Sequence, residues 1–382
     1  GVLRRCAMIV HMLAQSPHNA AVAAATTSLP ERIGGERNYD YRYTWVRDAS
    51  ISAAFLAVMG EQREVASYFR WLCELDAQVD APLQVCYRTD GGSLLKERIC
   101  EGVAGYRGSK PVRFGNRAYK QRQLGSLGWF ADSALIYLDA GGEWRPEFWD
   151  MLRRSADHVC RSWREPDSGV WELVREAHFV ASKVMAWVTI DRAMKVAGRI
   201  DEEVPGHWNE TCEVIREEVL AKGWNERRGC FRQRYDSDAI DAAALLIPLM
   251  DFLPADDPRV LATLREIEKT LVIDDLVHRF VPSETFGGEQ LAVGDFEGAF
   301  LPATFWYAHA LAGAGRTDDA RRVLRRCEGL TGCLTIFAEE ADARRNEMLG
   351  NTPLLFSQVE YGRALLAIHN QESKQDKYHE TD

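Results

Sequence analysis

Helix-like periodicity runs through almost the whole chain, and strand-like alternation of apolar and polar residues is nearly absent. Apolar residues recur three and four positions apart, which is the spacing of one buried helix face. The pattern predicts about twelve helices, at roughly 2–15, 47–59, 63–76, 125–140, 146–163, 177–199, 205–223, 238–250, 257–270, 298–312, 316–329 and 353–368. Because such helices can bury their apolar faces only against one another, the sequence predicts an all-α protein.

The links between the predicted helices alternate in length. After the even-numbered helices up to the tenth they are short and carry helix-stopping residues, such as Gly60, Gly198 and Pro254. The other links are mostly long, at 16–46, 77–124, 164–176, 224–237, 271–297 and 330–352. Antiparallel neighbouring helices put alternate links at opposite ends, so the long links should gather on one face. The sequence therefore predicts six helical hairpins in an (α/α)6 barrel, with a site at the loop-bearing end.

The predicted organisation is a single (α/α)6 domain over residues 1–370, followed by a polar and disordered C-terminal tail at 371–382. A helical-repeat scaffold is the main structural alternative, since the segment AGAGRTDDARRVL is typical of such repeats. No fixed period near 34 residues is found, and long irregular loops suit a pocket better than a stacked solenoid.

Charge and cysteine usage narrow the partners and the compartment. The net charge is −10 and the basic residues are scattered. Binding to nucleic acids or anionic membranes requires a concentrated cationic patch, so neither is expected as a partner. A small neutral substrate fits this balance; the sequence leaves the oligomeric state open. No apolar run approaches the ~20 residues of a membrane span. The nine cysteines are scattered without a CxxC pair, which favours a reducing, cytoplasmic location.

The first polar and aromatic cluster lies in the link before the second helix, within the segment NYDYRYTWVRD at 38–48. Tyr41 and Trp45 offer aromatic faces for sugar C–H surfaces, and Arg47 and Asp48 can bracket vicinal hydroxyls. An alternative stays open on residue types alone, in which Asp48 caps the helix and Arg47 pairs with it.

Three later links hold candidate carboxylates. Glu172 follows Trp171, and apolar surroundings there would raise its carboxyl pKa as a general acid requires. Glu339 and Glu340 follow an apolar run, although clustered carboxylates are commonly a solvated surface. Glu297 lies between a phenylalanine and a glycine at the start of a helix, where it could contact ligand or only cap the helix.

Four segments in this order carry a family resemblance: ATTSLPERIGGERNYDYRYTWVRDAS, GVWELVREAHFVASKVMAWVTIDRA, SDAIDAAALLIPL and AEEADARRNEMLGNTPLLFSQ. Together they resemble glycoside hydrolase family 15, the glucoamylase-type family that includes glucodextranases, isomaltose-cleaving enzymes and some microbial trehalases. The resemblance runs from about residue 2 to residue 370 and covers the catalytic domain only. It implies the (α/α)6 barrel and hydrolysis with inversion at the anomeric carbon.

The resemblance also implies roles for individual residues. Glu172 matches the general acid and Glu339 the general base, with Glu340 as the fallback. The positions that match substrate-binding residues are Tyr41, Trp45, Arg47, Asp48 and Trp171, with Arg175 and His178 near the leaving group. An inverting pair needs carboxyl groups roughly 6.5–9.5 Å apart, which leaves room for the attacking water.

The predicted activity is therefore that of an inverting, exo-acting α-glucoside hydrolase that releases β-glucose from isomaltose- or malto-oligosaccharide-type substrates. Two alternatives remain: an α,α-trehalase of the same family, and a catalytically silent carbohydrate-binding or regulatory protein on the same fold. Gly125 and Trp129 replace an acidic pair found in many relatives, which affects the inherited substrate preference. No metal or cofactor is expected, since the scheme needs none and the histidines lack HExxH spacing.

Overall fold

Helices dominate the fold. The computed structural model describes residues 1–15, 18–77, 83–287 and 291–379. The helices are α1 (Val2–Leu13), α2 (Val46–Val58), α3 (Gln62–Ala77), α4 (Gly125–Asp139), α5 (Pro146–Ser162), α6 (Val180–Arg199), α7 (Gly206–Lys222), α8 (Leu246–Leu249), α9 (Pro258–Leu271), α10 (Pro282–Phe286), α11 (Leu301–Gly313), α12 (Thr317–Thr331) and α13 (Leu355–His379). The all-α prediction is confirmed.

The strands are two or three residues long and lie within the links. They are β1 (Ala14–Gln15), β2 (Ala20–Ala21), β3 (Thr44–Trp45), β4 (Cys86–Tyr87), β5 (Arg98–Ile99), β6 (Arg113–Phe114), β7 (Trp224–Asn225), β8 (Cys230–Phe231), β9 (Val272–Ile273), β10 (Leu276–Val277), β11 (Ala299–Phe300), β12 (Glu340–Asp342) and β13 (Glu347–Leu349). The first ten pair consecutively into hairpin-like ladders, and β11, β12 and β13 form one antiparallel sheet.

Six helical segments contact one another in a closed ring. Helices α2, α4 and α6 pack in sequence, α6 contacts α8, α8 contacts α11, and α13 packs against both α11 and α2. These helices are buried on most sides; α11, for example, has the sequence LPATFWYAHALAG without a charged residue. Helices α4 and α6 approach so closely that a Cβ on Gly128 would lie 2.5 Å from the Met185 carbonyl oxygen.

Amphipathic helices surround this ring. Helix α12 shows the pattern most simply, because its buried residues Ala320, Val323, Leu324 and Cys327 recur at helix spacing while its other face is rich in arginine. Helix α12 packs on α11 and α13, and α3, α5 and α7 pack on inner helices in the same way. One continuous apolar core extends from Cys6 to Ile368.

The structure corrects several predicted helix bounds. The segment predicted as a helix at 238–250 is a 3-10 turn (Ala242–Leu245) followed by the four-residue α8, because Pro248 removes a backbone donor. Asp241 caps the turn by accepting a hydrogen bond from the Ala243 backbone N–H at 2.7 Å. Helix α6 begins at Val180 rather than 177, since Ala177 and Phe179 form bridges to Asp167 and Arg234.

The C-terminal end also differs from its prediction. Residues 371–379 continue helix α13 and do not form the predicted disordered tail. Glutamate, glutamine and lysine in this stretch favour a helix, and Glu372 accepts hydrogen bonds from Arg321 of α12. The remaining tail residues, 380–382, lie outside the described residues.

Two further observations concern the chain as a whole. Among the described helices, none is both long and apolar enough to cross a membrane. All nine cysteines have free thiols in the structure.

Candidate active site

One cavity of about 510 Å³ receives side chains from all six long links, at the end of the ring where those links gather. Its lining residues are Ala23, Glu31, Arg37, Tyr39, Tyr41, Trp45, Arg47, Asp48, Asn116, Arg117, Ala118, Gln121, Val170, Trp171, Glu172, Leu173, Val174, Arg175, Arg234, Arg279, Thr285, Phe286, Phe300, Glu339, Leu354 and Phe356. The volume falls within the range of small-molecule pockets, about 300–1,000 Å³. The predicted gathering of long links around one site is confirmed.

Glu172 projects into this cavity from a tight turn after α5. Its backbone lies in the left-handed region with a φ of 58°, a conformation that costs energy for a residue other than glycine. Its backbone N–H donates to the Gly169 carbonyl at 3.2 Å. The carboxylate atom Oε1 accepts a hydrogen bond from Trp45 Nε1 at 2.7 Å and lies 3.4 Å from a terminal nitrogen of Arg47.

Trp171 makes different contacts from those of the adjacent Glu172. Its Nε1 donates to Asp241 Oδ1 at 2.7 Å, and its ring packs edge-on against Phe300 with 5.3 Å between centroids. The indole that contacts Glu172 is therefore Trp45, whereas the sequence suggested the adjacent Trp171. Adjacent residues in this turn point in different directions, so sequence proximity did not identify the contact.

Glu339 is a buried carboxyl on the wall of the same cavity. Tyr41 donates a hydrogen bond from its hydroxyl to Glu339 Oε1 at 2.7 Å. Burial raises the pKa of Glu339 to about 8, and the Glu31 carboxylate adds to the rise, while Arg279, the Tyr41 hydrogen bond and Arg37 oppose it. The Tyr41 and Trp45 rings meet edge-on with centroids 5.5 Å apart, so one aromatic pair orients both candidate carboxyl groups.

Gly350 packs directly against the Glu339 side chain and leaves no room there for a Cβ. Its φ is 75°, and a Cβ at this position would lie 2.7 Å from both Cβ and Oε2 of Glu339. Real side chains essentially never approach so closely, so any larger residue must displace Glu339. Gly350 is in turn anchored by its backbone N–H, which donates to the Pro30 carbonyl at 2.9 Å.

We expect Gly350→Ala to lose about 1–3 kcal/mol of stability through backbone strain and to lower kcat about 10²-fold, because misplacing a reacting group by an ångström has that order of effect. Gly315→Ala is the matched control: its φ is 79° and no heavy atom lies within 4 Å of a Cβ there. Both variants should lower Tm, but only Gly350→Ala should lower kcat. Equal activity in the two variants would show that the contact with Glu339 is unimportant.

Arg47 and Asp48 form a buried pair at the start of α2. The Arg47 Nε lies 3.0 Å from Asp48 Oδ1, and its guanidinium also donates to the Val170 carbonyl at 3.2 Å. Burial raises the pKa of Asp48 above its ordinary value, and Arg47 opposes that rise. Both side chains line the cavity, so the pair can present a carboxylate and a guanidinium to neighbouring hydroxyl groups.

Two predicted acids lie outside the cavity lining. Glu340 accepts a hydrogen bond from the Gly298 backbone N–H at 2.8 Å and lies 3.2 Å from Arg279. Glu297 pairs with the same guanidinium at 2.5 and 2.7 Å. Neither is among the lining residues. Glu339 directly precedes β12, whose first residue is Glu340, and of these two carboxyl groups only that of Glu339 lines the cavity.

The carboxylates of Glu31, Glu297 and Glu340 lie within 4.8 Å of one another, a spacing that could suit a metal ion. A terminal nitrogen of Arg279 already lies within hydrogen-bonding distance of all three, at 3.1, 2.5 and 3.2 Å respectively. The Arg279 guanidinium thus pairs with each of the three carboxylates, and these contacts fix Arg279 in the cavity wall.

The two residues assigned to the leaving-group side differ in position. Arg175 lines the cavity at its exposed end and pairs with Asp236 at 3.0 Å. His178 does not line the cavity; its ring stacks on Tyr235 with 6.0 Å between centroids. Asp236 also accepts a hydrogen bond from Arg234, another lining residue, at 2.8 Å. Arg234 therefore lines the cavity, whereas His178, which the sequence suggested, does not.

Comparison with known proteins places this architecture in a family. Residues 2–366 match the model described as glycosyl hydrolases family 15. The chain belongs to glycosyl hydrolase family 15. The family-15 resemblance seen in the sequence is thus confirmed, as is the assignment to glycosidases at the level of the family.

The relatives of this family-15 chain include proteins named trehalase. One from Mycolicibacterium smegmatis is 36% identical over 379 residues, covering 98% of this chain and 56% of the relative. Another from Thermoplasma volcanium is 35% identical over 361 residues, covering 94% of this chain and 56% of the relative. The chain therefore spans just over half the length of these relatives.

Solved structures share the fold at low identity. A glycosidase variant in complex with glucose superposes with a TM-score of 0.75 at 18% identity, covering 96% of each chain. A bacterial glucoamylase with acarbose gives 0.72 at 16% identity, covering 97% of this chain and 55% of the other. These likenesses support the predominantly helical, glucoamylase-like fold.

The family-15 site also contains residues that the sequence reading did not single out. Glu31, Arg234 and Arg279 are buried charged residues among them, and Arg37 is a half-buried one. Glu31 and Arg37 lie in the quoted segment ATTSLPERIGGERNYDYRYTWVRDAS, so that segment was a usable signal. Arg279 follows the short strand β10 in a link without any unusual composition, and no local pattern pointed to it.

Proposed function

We propose that the chain hydrolyses the α,α-1,1 bond of trehalose with inversion, using Glu172 as general acid and Glu339 as general base. The observation that carries the proposal is that both carboxyl groups line one cavity whose volume, about 510 Å³, suits a disaccharide. The trehalase names of relatives at 35–36% identity favour this linkage over the isomaltose- or malto-oligosaccharide-type linkages that the sequence alone suggested.

The proposed architecture is the (α/α)6 barrel. It is supported by the closed ring of α2, α4, α6, the 242–249 segment, α11 and α13, and by the helices packed outside that ring. Such a barrel explains how residues 339 − 172 = 167 positions apart can share one pocket.

In the proposed mechanism, Glu172 gives a proton to the glycosidic oxygen as the bond between that oxygen and the anomeric carbon breaks. Glu339 takes a proton from a water molecule, whose oxygen bonds to the opposite face of the anomeric carbon. Glu339 must be ionised before it can act. Because burial raises its pKa to about 8, kcat/KM should fall as the pH decreases through values well above those of an ordinary carboxyl group.

Arg47 and Asp48 are proposed to hold the hydroxyl groups of the glucose unit that is attacked. Their mutual hydrogen bonds fix both side chains before substrate binds, which lowers the entropy cost of binding. The second sugar would then extend toward Arg175 and Arg234 at the outer end of the cavity.

An exo-acting α-glucosidase is the second candidate function, and the open end of the cavity favours it. Val174 lines the cavity and is 94% exposed, and Arg117, another lining residue, is also solvent-exposed. A longer isomaltose- or maltose-type chain could leave the cavity there without a clash. The second sugar of trehalose has no such need for an opening.

Proton NMR of the first products tests the proposal. We expect trehalose to be hydrolysed with a kcat/KM at least about 10-fold above that of maltose, isomaltose or maltotriose, since pocket fit discriminates by this order. Inversion at trehalose should release α-glucose and β-glucose in equal initial amounts, because only the attacked sugar changes configuration. Preference for maltose or isomaltose would support the second candidate, and two α-glucose molecules from trehalose would exclude inversion.

A further inference from the structure

Glu31 is a buried carboxylate in the cavity wall with one oxygen that has no partner. The side chain is 1% exposed. Its Oε2 accepts hydrogen bonds from Arg37 Nε at 2.5 Å and from Arg279 at 3.1 Å. Its Oε1 is buried and has no hydrogen-bond partner among the described residues. A buried acceptor without a partner costs about 1–3 kcal/mol, so a ligand that donates a hydrogen bond there would be favoured.

Glu31 lines the same cavity as Glu339 and acts on it electrostatically. After burial, the Glu31 carboxylate is the largest influence that raises the pKa of Glu339. The other ionisable groups facing Glu339 are Tyr41 and Arg37 from the same link, Arg279 after β10, and Glu340 beside it on β12. A like charge nearby disfavours ionisation of a buried carboxyl, so the charge on Glu31 acts on the candidate base directly.

A second, polar cavity of about 250 Å³ is also lined by Glu31. Among the residues described as lining the two cavities, Glu31 is the one that both share. The second cavity is lined by His278, Asp295 and Glu297 among others. Polar cavities of this kind hold water, so water can be present next to Glu31 when a sugar fills the substrate cavity.

We propose that Glu31 is a third catalytic carboxylate, whose free oxygen accepts a hydrogen bond from the attacking water while Glu339 removes that water's other proton. The inference rests on the proposed hydrolysis with Glu339 as base. The bond from the water oxygen to the anomeric carbon forms as the glycosidic bond breaks. The electron pair of the glycosidic bond leaves with the oxygen that Glu172 protonates. Glu31 neither gains nor loses a proton; it orients the water.

Glu31→Gln is tested beside Glu297→Gln, a matched control. Glu297 is buried and pairs with the same Arg279 at 2.5 and 2.7 Å, and with Arg37 at 3.5 Å, but it does not line the substrate cavity. A role of Glu31 confined to anchoring these arginines would therefore appear in both variants. Tm measurements on both report their folding.

The substrates are trehalose and α-glucosyl fluoride. Fluoride leaves without a proton, so the fluoride reaction depends on water attack and not on the general acid. We expect Glu31→Gln to lower kcat about 10²-fold on both substrates, the order expected when a reacting group is misplaced, with KM changed less than about 2-fold. Glu297→Gln should keep a kcat close to that of the wild type on both substrates, because Glu297 does not line the substrate cavity.

The pH profile adds a readout that a structural role would not change. Removing the Glu31 charge should lower the pKa of Glu339, so the acid limb of kcat/KM should move to lower pH in Glu31→Gln. In Glu31→Asp the charge stays but the carboxylate is withdrawn by one methylene. That variant should lower kcat while its acid limb remains near the wild-type position, and it keeps the test valid if Glu31→Gln folds poorly.

Three results would overturn the inference. The first is an equal effect on kcat in Glu31→Gln and Glu297→Gln. The second is a rise in KM at unchanged kcat in Glu31→Gln, which would make Glu31 a sugar contact. The third is full activity of Glu31→Gln on the fluoride. Failure of the proposed function would look different. The wild type would then release glucose neither from the α-glucosides nor from α-glucosyl fluoride.

Discussion

Glu339→Gln is expected to hydrolyse trehalose about 10²–10⁴-fold more slowly than the wild type, the range that general acid–base catalysis contributes. An amide cannot accept the proton of the attacking water. The Gln side chain has nearly the same shape and still accepts the Tyr41 hydrogen bond that Glu339 Oε1 receives at 2.7 Å, so the geometry of the cavity should persist. Steady-state kinetics on purified protein measure the loss, and α-glucosyl fluoride should be hydrolysed as slowly as trehalose.

The same variant should be more stable than the wild type at alkaline pH. The folded-state pKa of Glu339, about 8, lies above its ordinary value of 4.5, so the folded protein holds a proton that the unfolded chain releases. This contribution to stability is complete below the ordinary pKa and is lost as the pH rises through about 8. Gln cannot ionise, so the difference in Tm in favour of Glu339→Gln should widen from pH 5 to pH 8.

Glu360→Gln provides the control for Glu339→Gln. Glu360 is also a buried carboxyl whose pKa is raised by burial, but it pairs with Arg363 and does not line the cavity. Its replacement should leave kcat within about 5-fold of the wild type. Activity of Glu339→Gln within 5-fold of the wild type would remove Glu339 from the mechanism.

Glu172→Gln is the second variant with a large expected effect. Its kcat on trehalose should fall by about 10²–10⁴-fold, because no proton reaches the departing sugar oxygen. The hydrogen bond from Trp45 Nε1 to Glu172 Oε1, 2.7 Å long, can be kept by the amide oxygen. Fluoride departs without a proton, so α-glucosyl fluoride should be hydrolysed by this variant within about 10-fold of the wild-type rate.

The contrast between the two substrates assigns the two roles. Preserved fluoride hydrolysis in Glu339→Gln, together with its loss in Glu172→Gln, would exchange the acid and the base. Glu176→Gln serves as the control, since Glu176 is exposed on the same link and should not affect either reaction. A family-15 hydrolase in which neither substrate responds to Glu172→Gln would need a different acid.

Local sequence patterns predicted the helices well where the pattern was strong. Helix α5 begins at Pro146 as predicted, because proline favours the first turn, and it ends within one residue of its predicted end. The prediction was wrong for 238–250, where Asp241 caps a 3-10 turn that begins only at Ala242 and is followed by the four-residue α8, which contains Pro248. The tail prediction failed for the opposite reason, since polar residues at 371–379 continue α13.

Side-chain direction was harder to predict than the position of the links. Glu339 and Glu340 are adjacent and identical in type, yet one faces the cavity and the other pairs with Arg279. Glu297 was predicted to bind substrate and instead joins that buried cluster. Both Glu297 and Glu340 contact Arg279, which lies in a part of the chain distant from Glu340, so the direction of these carboxyl groups depends on tertiary contacts.

The sequence by itself determined the helical class, the alternation of short and long links, and the family. It also selected Glu172, Glu339, Arg47 and Asp48 as candidate site residues, because all of these depend on local periodicity and on motifs. Only the tertiary structure decided that Trp45 and Tyr41 orient the two candidate carboxyl groups, that Gly350 supports Glu339, and that Glu31 and Arg279 belong to the site. Most of these relations join different links of the chain, such as Tyr41 and Glu339 across 298 positions. Burial and charge at such contacts arise only when the chain closes on itself, so a local stretch such as the segment that contains Glu31 can suggest a site residue but not its partners.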